Sequence, residues 1–244
     1  RTLIIYIYLF LVQGIDLMGQ GSADTSEFPN LRNRIKDQTV FILLDAKNKE
    51  AYLRRSYYKE KIGDYKGSIE DLDRYIELDP KDYKAINSRA FSKDQKGDIV
   101  EAIVDYTKAI EINPDFLDAY YGRATDLYKI GDFKNAISDF DKAIELDPTY
   151  YMSFLGRGYS KGELKDYKGA IEDYTKVIAL DPKNAKAYNN RGHAKFFLND
   201  YDGSLADINR AIELDPNYAQ AYNKRGQTRY GMKDLKGALE DYNR

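Results

Sequence analysis

The residues able to do chemistry in this chain form a short set. The sequence of 244 residues has no cysteine and one histidine, His193. Disulfides, thiolate metal sites and cysteine nucleophiles are therefore excluded. A zinc site or a histidine relay needs more donors than one imidazole. No glycine-rich phosphate loop and no nucleophile elbow is present, so neither a metal, a cofactor nor an enzymatic role is expected. What does recur is charge. Arg55, Arg89, Arg123, Arg157, Arg191 and Arg225 stand 34 residues apart, and Asp71, Asp105, Asp139, Asp173, Asp207 and Asp241 each follow their arginine by 16. The spacing predicts Arg–Asp pairs, within one repeat or across a boundary, because a bidentate guanidinium–carboxylate contact fixes orientation. An arginine ladder for an anionic ligand is the alternative. A carboxylate for every arginine favours the structural pairing.

The elements that carry these residues follow from the period. Pro80, Pro114, Pro148, Pro182 and Pro216 are also 34 apart, without insertion or deletion. A fixed period of that length means a stacked array, in which each unit touches only its neighbours. With Lys49 as position 1, repeats cover 49–82, 83–116, 117–150, 151–184 and 185–218, with a partial repeat over 219–244. Two helical segments are predicted per repeat, over roughly positions 2–14 and 17–30. Between them lie Gly63-Asp64, Gly97-Asp98, Gly131-Asp132, Lys165-Asp166, Asn199-Asp200 and Lys233-Asp234. Glycine suits a left-handed cap and aspartate an N-cap. The second helix should stop before proline, which disfavours helical geometry in the residue ahead of it, and proline should open the next helix.

In that register the chain resembles the tetratricopeptide repeat family over Lys49–Arg244. Large residues open the first helix at Tyr52, Tyr120, Phe154, Tyr188 and Tyr222, with Ile86 departing. Small residues follow at Ser56, Ala90, Ala124, Gly158, Gly192 and Gly226, and in the second helix at Ser68, Ala102, Ala136, Ala170, Ser204 and Ala238. Leu72, Tyr106, Phe140, Tyr174, Ile208 and Tyr242 come next. Where the family often has leucine, this chain has the six arginines. The resemblance implies an all-α, right-handed solenoid of helix-turn-helix units that binds a peptide or protein segment in a concave groove.

Helical spacing puts positions 2, 5, 9 and 12 on one stripe, and in the resembled family that stripe of the first helices lines the groove. It reads Asp118, Tyr121, Thr125, Tyr128 in the third repeat and Met152, Leu155, Tyr159, Gly162 in the fourth. With Gly122 and Gly156 alongside, this suggests an aromatic shelf with open space. The fifth repeat supplies Lys186, Asn189, His193 and Phe196, and the sixth Gln220, Asn223, Gln227 and Tyr230. Asn189, Asn190 and Asn223 suit a peptide backbone, since an amide both donates and accepts. His193 reads as a polar contact. The competing reading is that these side chains pack between neighbouring helices. The family's dicarboxylate clamp, which needs Lys at position 5 and Asn at position 9, is rejected. Position 5 holds Leu53, Asn87, Tyr121, Leu155, Asn189 and Asn223, and position 9 holds Tyr57, Phe91, Thr125, Tyr159, His193 and Gln227.

Residues 1–14 contain the apolar run Leu3–Val12 behind Arg1. Ten residues are too short to span a bilayer as a helix, so the run reads as a signal-peptide core. Its alternatives are a buried first helix or sequence upstream of a start at Met18. The protein is exported on the first reading and cytoplasmic otherwise. Residues 15–30 read as a flexible linker and 31–48 as a degenerate partial repeat or N-terminal cap helix. The formal charge of −2 disfavours nucleic acid as a partner. Self-association through the sixth repeat, which breaks off within its second helix, is the alternative function.

Overall fold

The computed structural model describes residues 28–244, and the signal-like segment with most of the expected linker lies outside them. Thirteen helices and no strand occur among the described residues. They are α1 (Phe28–Leu44), α2 (Lys49–Lys61), α3 (Tyr65–Leu78), α4 (Tyr83–Lys96), α5 (Ile99–Ile112), α6 (Leu117–Lys129) and α7 (Phe133–Leu146). After these come α8 (Tyr151–Glu163), α9 (Tyr167–Leu180), α10 (Ala185–Phe197), α11 (Tyr201–Leu214), α12 (Ala219–Gly231) and α13 (Leu235–Tyr242). Each helix packs on the one before and the one after it, and successive first helices also touch at α4–α6, α6–α8 and α10–α12. The chain is an α-solenoid. No described helix is long and apolar enough to cross a membrane.

Turn chemistry sets the unit. The first helix ends at a residue of positive φ: Gly63 (78°), Gly97 (97°) and Gly131 (84°), then Lys165 (63°), Asn199 (61°) and Lys233 (66°). The left-handed turn therefore persists where glycine is absent, against the cost a Cβ imposes there. Aspartate follows at the N-cap of the second helix, and in every repeat except that of Asp98 its side chain accepts a backbone N–H, as when Asp64 accepts from the Gly67 N–H at 2.9 Å. The prolines occupy the turn between repeats and do not open the next helix. Pro80 lies in the Asp79–Asp82 turn, and α4 starts at Tyr83 with Asp82 as its N-cap. Proline ends α3 through the residue ahead of it, while an aspartate two positions later supplies the acceptor that the next helix needs. The helix expected from Leu31 begins at Phe28, inside the expected linker.

Two buried arrangements hold successive helices together. The first is polar. Arg157 donates to both Asp173 carboxylate oxygens, from Nη2 at 2.5 Å and Nε at 3.0 Å, and its Nη1 reaches Asp141 at 2.5 Å. The same triangle recurs: Arg55 with Asp71 and Thr39, Arg89 with Asp105 and Asp73, Arg123 with Asp139 and Thr107, Arg191 with Asp207 and Thr175, Arg225 with Asp241 and Asn209. One guanidinium thus joins both helices of its repeat to the second helix of the preceding one. Thr39 on α1 takes that part for Arg55, so α1 packs where a preceding second helix would. The plane also lies over a ring four residues into the first helix, such as Phe154 at 5.5 Å from Arg157. A second cation joins Asp71, Asp105, Asp173, Asp207 and Asp241 from Lys59, Lys93, Lys161, Lys195 and Arg229. The equivalent residue in the third repeat is Leu127, which leaves Asp139 with Arg123 alone.

The second arrangement is steric. The buried ring of Tyr106 or Phe140 lies against the first helix of the next repeat, where Gly122 and Gly156 make room. A Cβ on Gly122 would stand 2.5 Å from Tyr106 Cζ, and one on Gly156 closer still to Phe140 Cζ. These glycines do not open the expected shelf, because the neighbouring rings already occupy the space. Further along, Tyr174 and then Ile208 occupy the ring position, and Asn190 and Lys224 stand where the glycines stood.

Two outcomes follow for thermal unfolding. Arg123→Ala costs more than Arg157→Ala, because Asp139 is left without a cation whereas Asp173 keeps Lys161. Losing one partner of a buried pair costs about 3–5 kcal/mol, and Arg157→Ala should fall below that range. Equal losses in denaturant titrations would refute the difference. Gly156→Ala costs about 1–3 kcal/mol by overpacking, and Phe140→Leu in the same chain should recover part of it; a neutral Gly156→Ala would contradict the contact.

Candidate functional site

A cavity of about 970 Å³ lies over the first helices of the fourth to sixth repeats, with Tyr128 of the third at one edge. The one-residue offset between helix turns decides which side chains reach it. Position 9 does, through Tyr159 and His193, and so does position 6, through Asn190 and Lys224. Position 5 mostly does not. Leu155 is buried with Phe154, Ala170 and Tyr174. Asn189 is fully buried, donating to the Tyr218 hydroxyl at 3.3 Å, and its carbonyl oxygen has no partner among the described residues. Both belong to the interior, because position 5 turns toward the second helix and closing turn of its own repeat. Tyr121 follows the same logic, its ring edge-on to Phe140 and Tyr150 at 6.0 and 5.3 Å. Met152 is exposed outside the cavity. Phe196 packs against Phe197 and Tyr201 instead of lining it. Asn223 lines a shallower adjoining hollow with Gln220 and Gln227.

Aromatic rings make the cavity walls. Tyr128 lies 6.4 Å from Tyr159, which lies 6.0 Å from the buried Tyr174. Tyr167 stacks on Phe197 at 4.6 Å with an interplanar angle of 7°. Burial raises the Tyr159 hydroxyl to about 12, so it stays protonated. Burial, assisted by the Lys224 charge, pushes His193 down to about 4, leaving a neutral imidazole at physiological pH. Lys224 sits behind them. Burial lowers its ammonium to about 8, and its Nζ donates to Asn190 Oδ1 at 2.8 Å. The sequence reading passed over Lys224 because position 6 lies off the stripe it followed. Its signal was the change from Gly122 and Gly156 to Asn190 and Lys224 at one repeat position.

A second polar cluster lies outside the cavity. Asp126 is almost completely buried, accepts from Lys129 at 3.0 Å and has one carboxylate oxygen unpartnered. Lys129 also pairs with Asp94. Burial, opposed by Lys129 and reinforced by Asp94, pushes the Asp126 carboxyl up to about 7. Burial acts the same way on Asp94, but Lys129 and Asp126 outweigh it and hold that carboxyl low. Tyr106 faces both acids and is itself raised, first by burial. No group of three or more metal-donor side chains occurs among the described residues.

The sign of the Asp126 contribution is fixed by its raised folded-state value. Its charged form is disfavoured in the fold, so it destabilises above about pH 7 and is relieved as pH falls toward its ordinary value. His193 has the opposite slope, losing stability as pH falls from 6.5 toward 4. Comparing Asp126→Asn with the parent isolates the first effect. The variant should melt higher at pH 8, by about 2–4 °C for each kcal/mol relieved, and the gap should shrink steadily below pH 7 and close only as pH nears the ordinary value of 3.8. A gap independent of pH would remove Asp126 as its source.

Three tetratricopeptide family models match the sequence. The model described as a TPR repeat covers residues 95–125 and 158–198; two described as tetratricopeptide repeats cover 117–150 with 185–218, and 49–82. Comparison with curated proteins gives no match. Among solved structures, YrrB, titled a TPR protein with an unusual peptide-binding site, superposes with a TM-score of 0.67 at 19% identity, over 82% of this chain and 100% of its own. A tetratricopeptide repeat protein from Parabacteroides merdae gives 0.71 at 21%, over 79% and 77%. The type IV pilus biogenesis factor PilW gives 0.70 at 17%, over 79% and 90%. At these identities the superpositions establish the fold alone. Repeat length, helix pairing and family matches agree, and the chain belongs to the tetratricopeptide repeat family.

Proposed function

We propose that this protein is a non-enzymatic interaction scaffold that holds a peptide or protein segment in the groove of its superhelix. The observation carrying the reading is the cavity of about 970 Å³ over three successive first helices. Its volume is at the upper end of the range for ligand pockets, and its aromatic walls stand beside polar and charged groups such as Asn190, Lys186 and Lys224. The adjoining hollow shares His193, Gln220 and Lys224 with it and adds the amides of Asn223 and Gln227. The recess therefore continues as a track suited to an extended backbone. Fold alone does not fix function; the proposal rests on this surface. Self-association through the sixth repeat is a second reading.

A photoreactive benzoylphenylalanine at position 128, 104 or 239 separates these readings. Tyr128 lines the cavity, Val104 is exposed on α5 away from it, and Leu239 lies on the last helix. Irradiation in source cells should attach other polypeptides at position 128 and not at 104. Adducts confined to position 104 would overturn the groove reading. Adducts at 239 joining two copies would establish self-association.

A further inference from the structure

We infer that the cavity over the fourth to sixth repeats is selective for a peptide carboxylate flanked by apolar side chains, with Lys224 as the residue that receives it. This rests on the groove reading above and adds the chemistry of the segment. The chain carries a formal −2, yet this cavity is lined by Lys165, Lys186 and Lys224 against one acid, Glu163. Glu163 faces the Tyr128 hydroxyl, whose pKa burial and then the Glu163 charge raise. Among the described residues, no ion pair within 4.0 Å involves any of these three lysines. The contrast inside the protein is sharp. Lys59, Lys93, Lys161 and Lys195 each pair with a buried aspartate. Lys224 is a partly buried cation with no counter-ion, a costly arrangement unless something else supplies the charge.

The hydrogen-bond directions point the same way. An ammonium has three donors, and Lys224 gives one to Asn190 Oδ1. The Asn190 amide donates to the Lys186 carbonyl at 2.8 Å and toward the Tyr159 hydroxyl at 3.5 Å. The Asn189 amide donates to the Tyr218 hydroxyl at 3.3 Å. Both tyrosine oxygens thus act as acceptors toward the protein, which leaves their protons to be given elsewhere. Lys224, Tyr159 and Tyr218 all line the cavity, and together they offer donors that call for an anionic acceptor. His193 stays neutral and adds no charge. The ring walls of Tyr128, Tyr167 and Phe197 require apolar groups beside that anion. The amide track through Asn223 and Gln227 favours an extended peptide over a free small acid.

The geometry differs from the clamp excluded on sequence grounds. Here the lysine and its asparagine occupy position 6 of adjacent repeats, with no lysine at position 5.

The test is a selection of random eight-residue peptides displayed on phage against the full chain, with the selected sequences then made synthetically. Peptides bearing Asp, Glu or a free C-terminal carboxylate beside aromatic or aliphatic residues should be enriched. Replacing the side-chain carboxylate by its amide, or amidating the C-terminus, identifies which carboxylate is read. The correct replacement should weaken binding about tenfold or more, the effect of losing a charge-assisted contact. Lys224→Met should erase the preference while leaving the melting temperature equal or higher, because an unpaired charge is removed. Lys224→Arg should retain it. Binding by the parent should fall between pH 7 and pH 9.5 as the ammonium deprotonates. A preference that survives Lys224→Met overturns the inference. Enrichment of neutral peptides whose binding is lost in Tyr159→Ala also overturns it and leaves the groove reading standing. A selection that enriches nothing counts against both.

Discussion

The fold depends on the triangle each arginine makes with an aspartate of its own repeat and a polar side chain of the repeat before. Helices packed through small residues can slide or rotate with little change in buried area. A planar guanidinium with bidentate geometry permits neither, because both carboxylate oxygens and the third acceptor must be met together. In the repeat of Arg157 the acceptors are Asp173 and Asp141, and the ring of Phe154 lies under the plane. The same contact repeated along the chain sets one angle between neighbours, and a solenoid is what one angle repeated produces.

A second constraint operates between first helices and determines where a ligand has room. The ring tips of Tyr106 and Phe140 fill the space beside Gly122 and Gly156. In the fifth and sixth repeats that position instead carries Asn190 and Lys224, facing the cavity. One repeat position therefore packs the middle of the array and functionalises its later part. This makes the polar chemistry local although the backbone is periodic. The cavity forms in the part of the array where glycine gives way to polar side chains.

Electrostatics divides the same way. The repeated aspartates are matched by cations and vary little along the chain. The groups that break the period differ: Asp126, enclosed where the neighbouring repeats have serine, shares Lys129 with Asp94, and Lys224 is enclosed without an acid. Burial shifts both toward neutral pH, for opposite chemical reasons, since it disfavours the charged form of either sign. Departures from the repeat pattern are thus where this protein holds its shifted titratable groups and part of its polar cavity lining.

The sequence by itself determined the repeat length, the two helices of each unit, the aspartate caps and the pairing distance of 16 residues between arginine and aspartate. These are local or periodic properties, fixed by capping, proline geometry and side-chain type. Which face of each first helix meets the cavity was decided only by tertiary structure. Leu155 and Asn189 shared a helical stripe with Tyr159 and His193, yet they turn inward, while Lys224 turns into the recess. A rotation of one residue along a helix moves a side chain by about 100°, and the packing of the neighbouring repeat sets that rotation. Proline shows the same division. Its position in the chain marked the end of each second helix, but the start of the next helix was set by the aspartate, asparagine or tyrosine beyond it, where the turn geometry placed the cap.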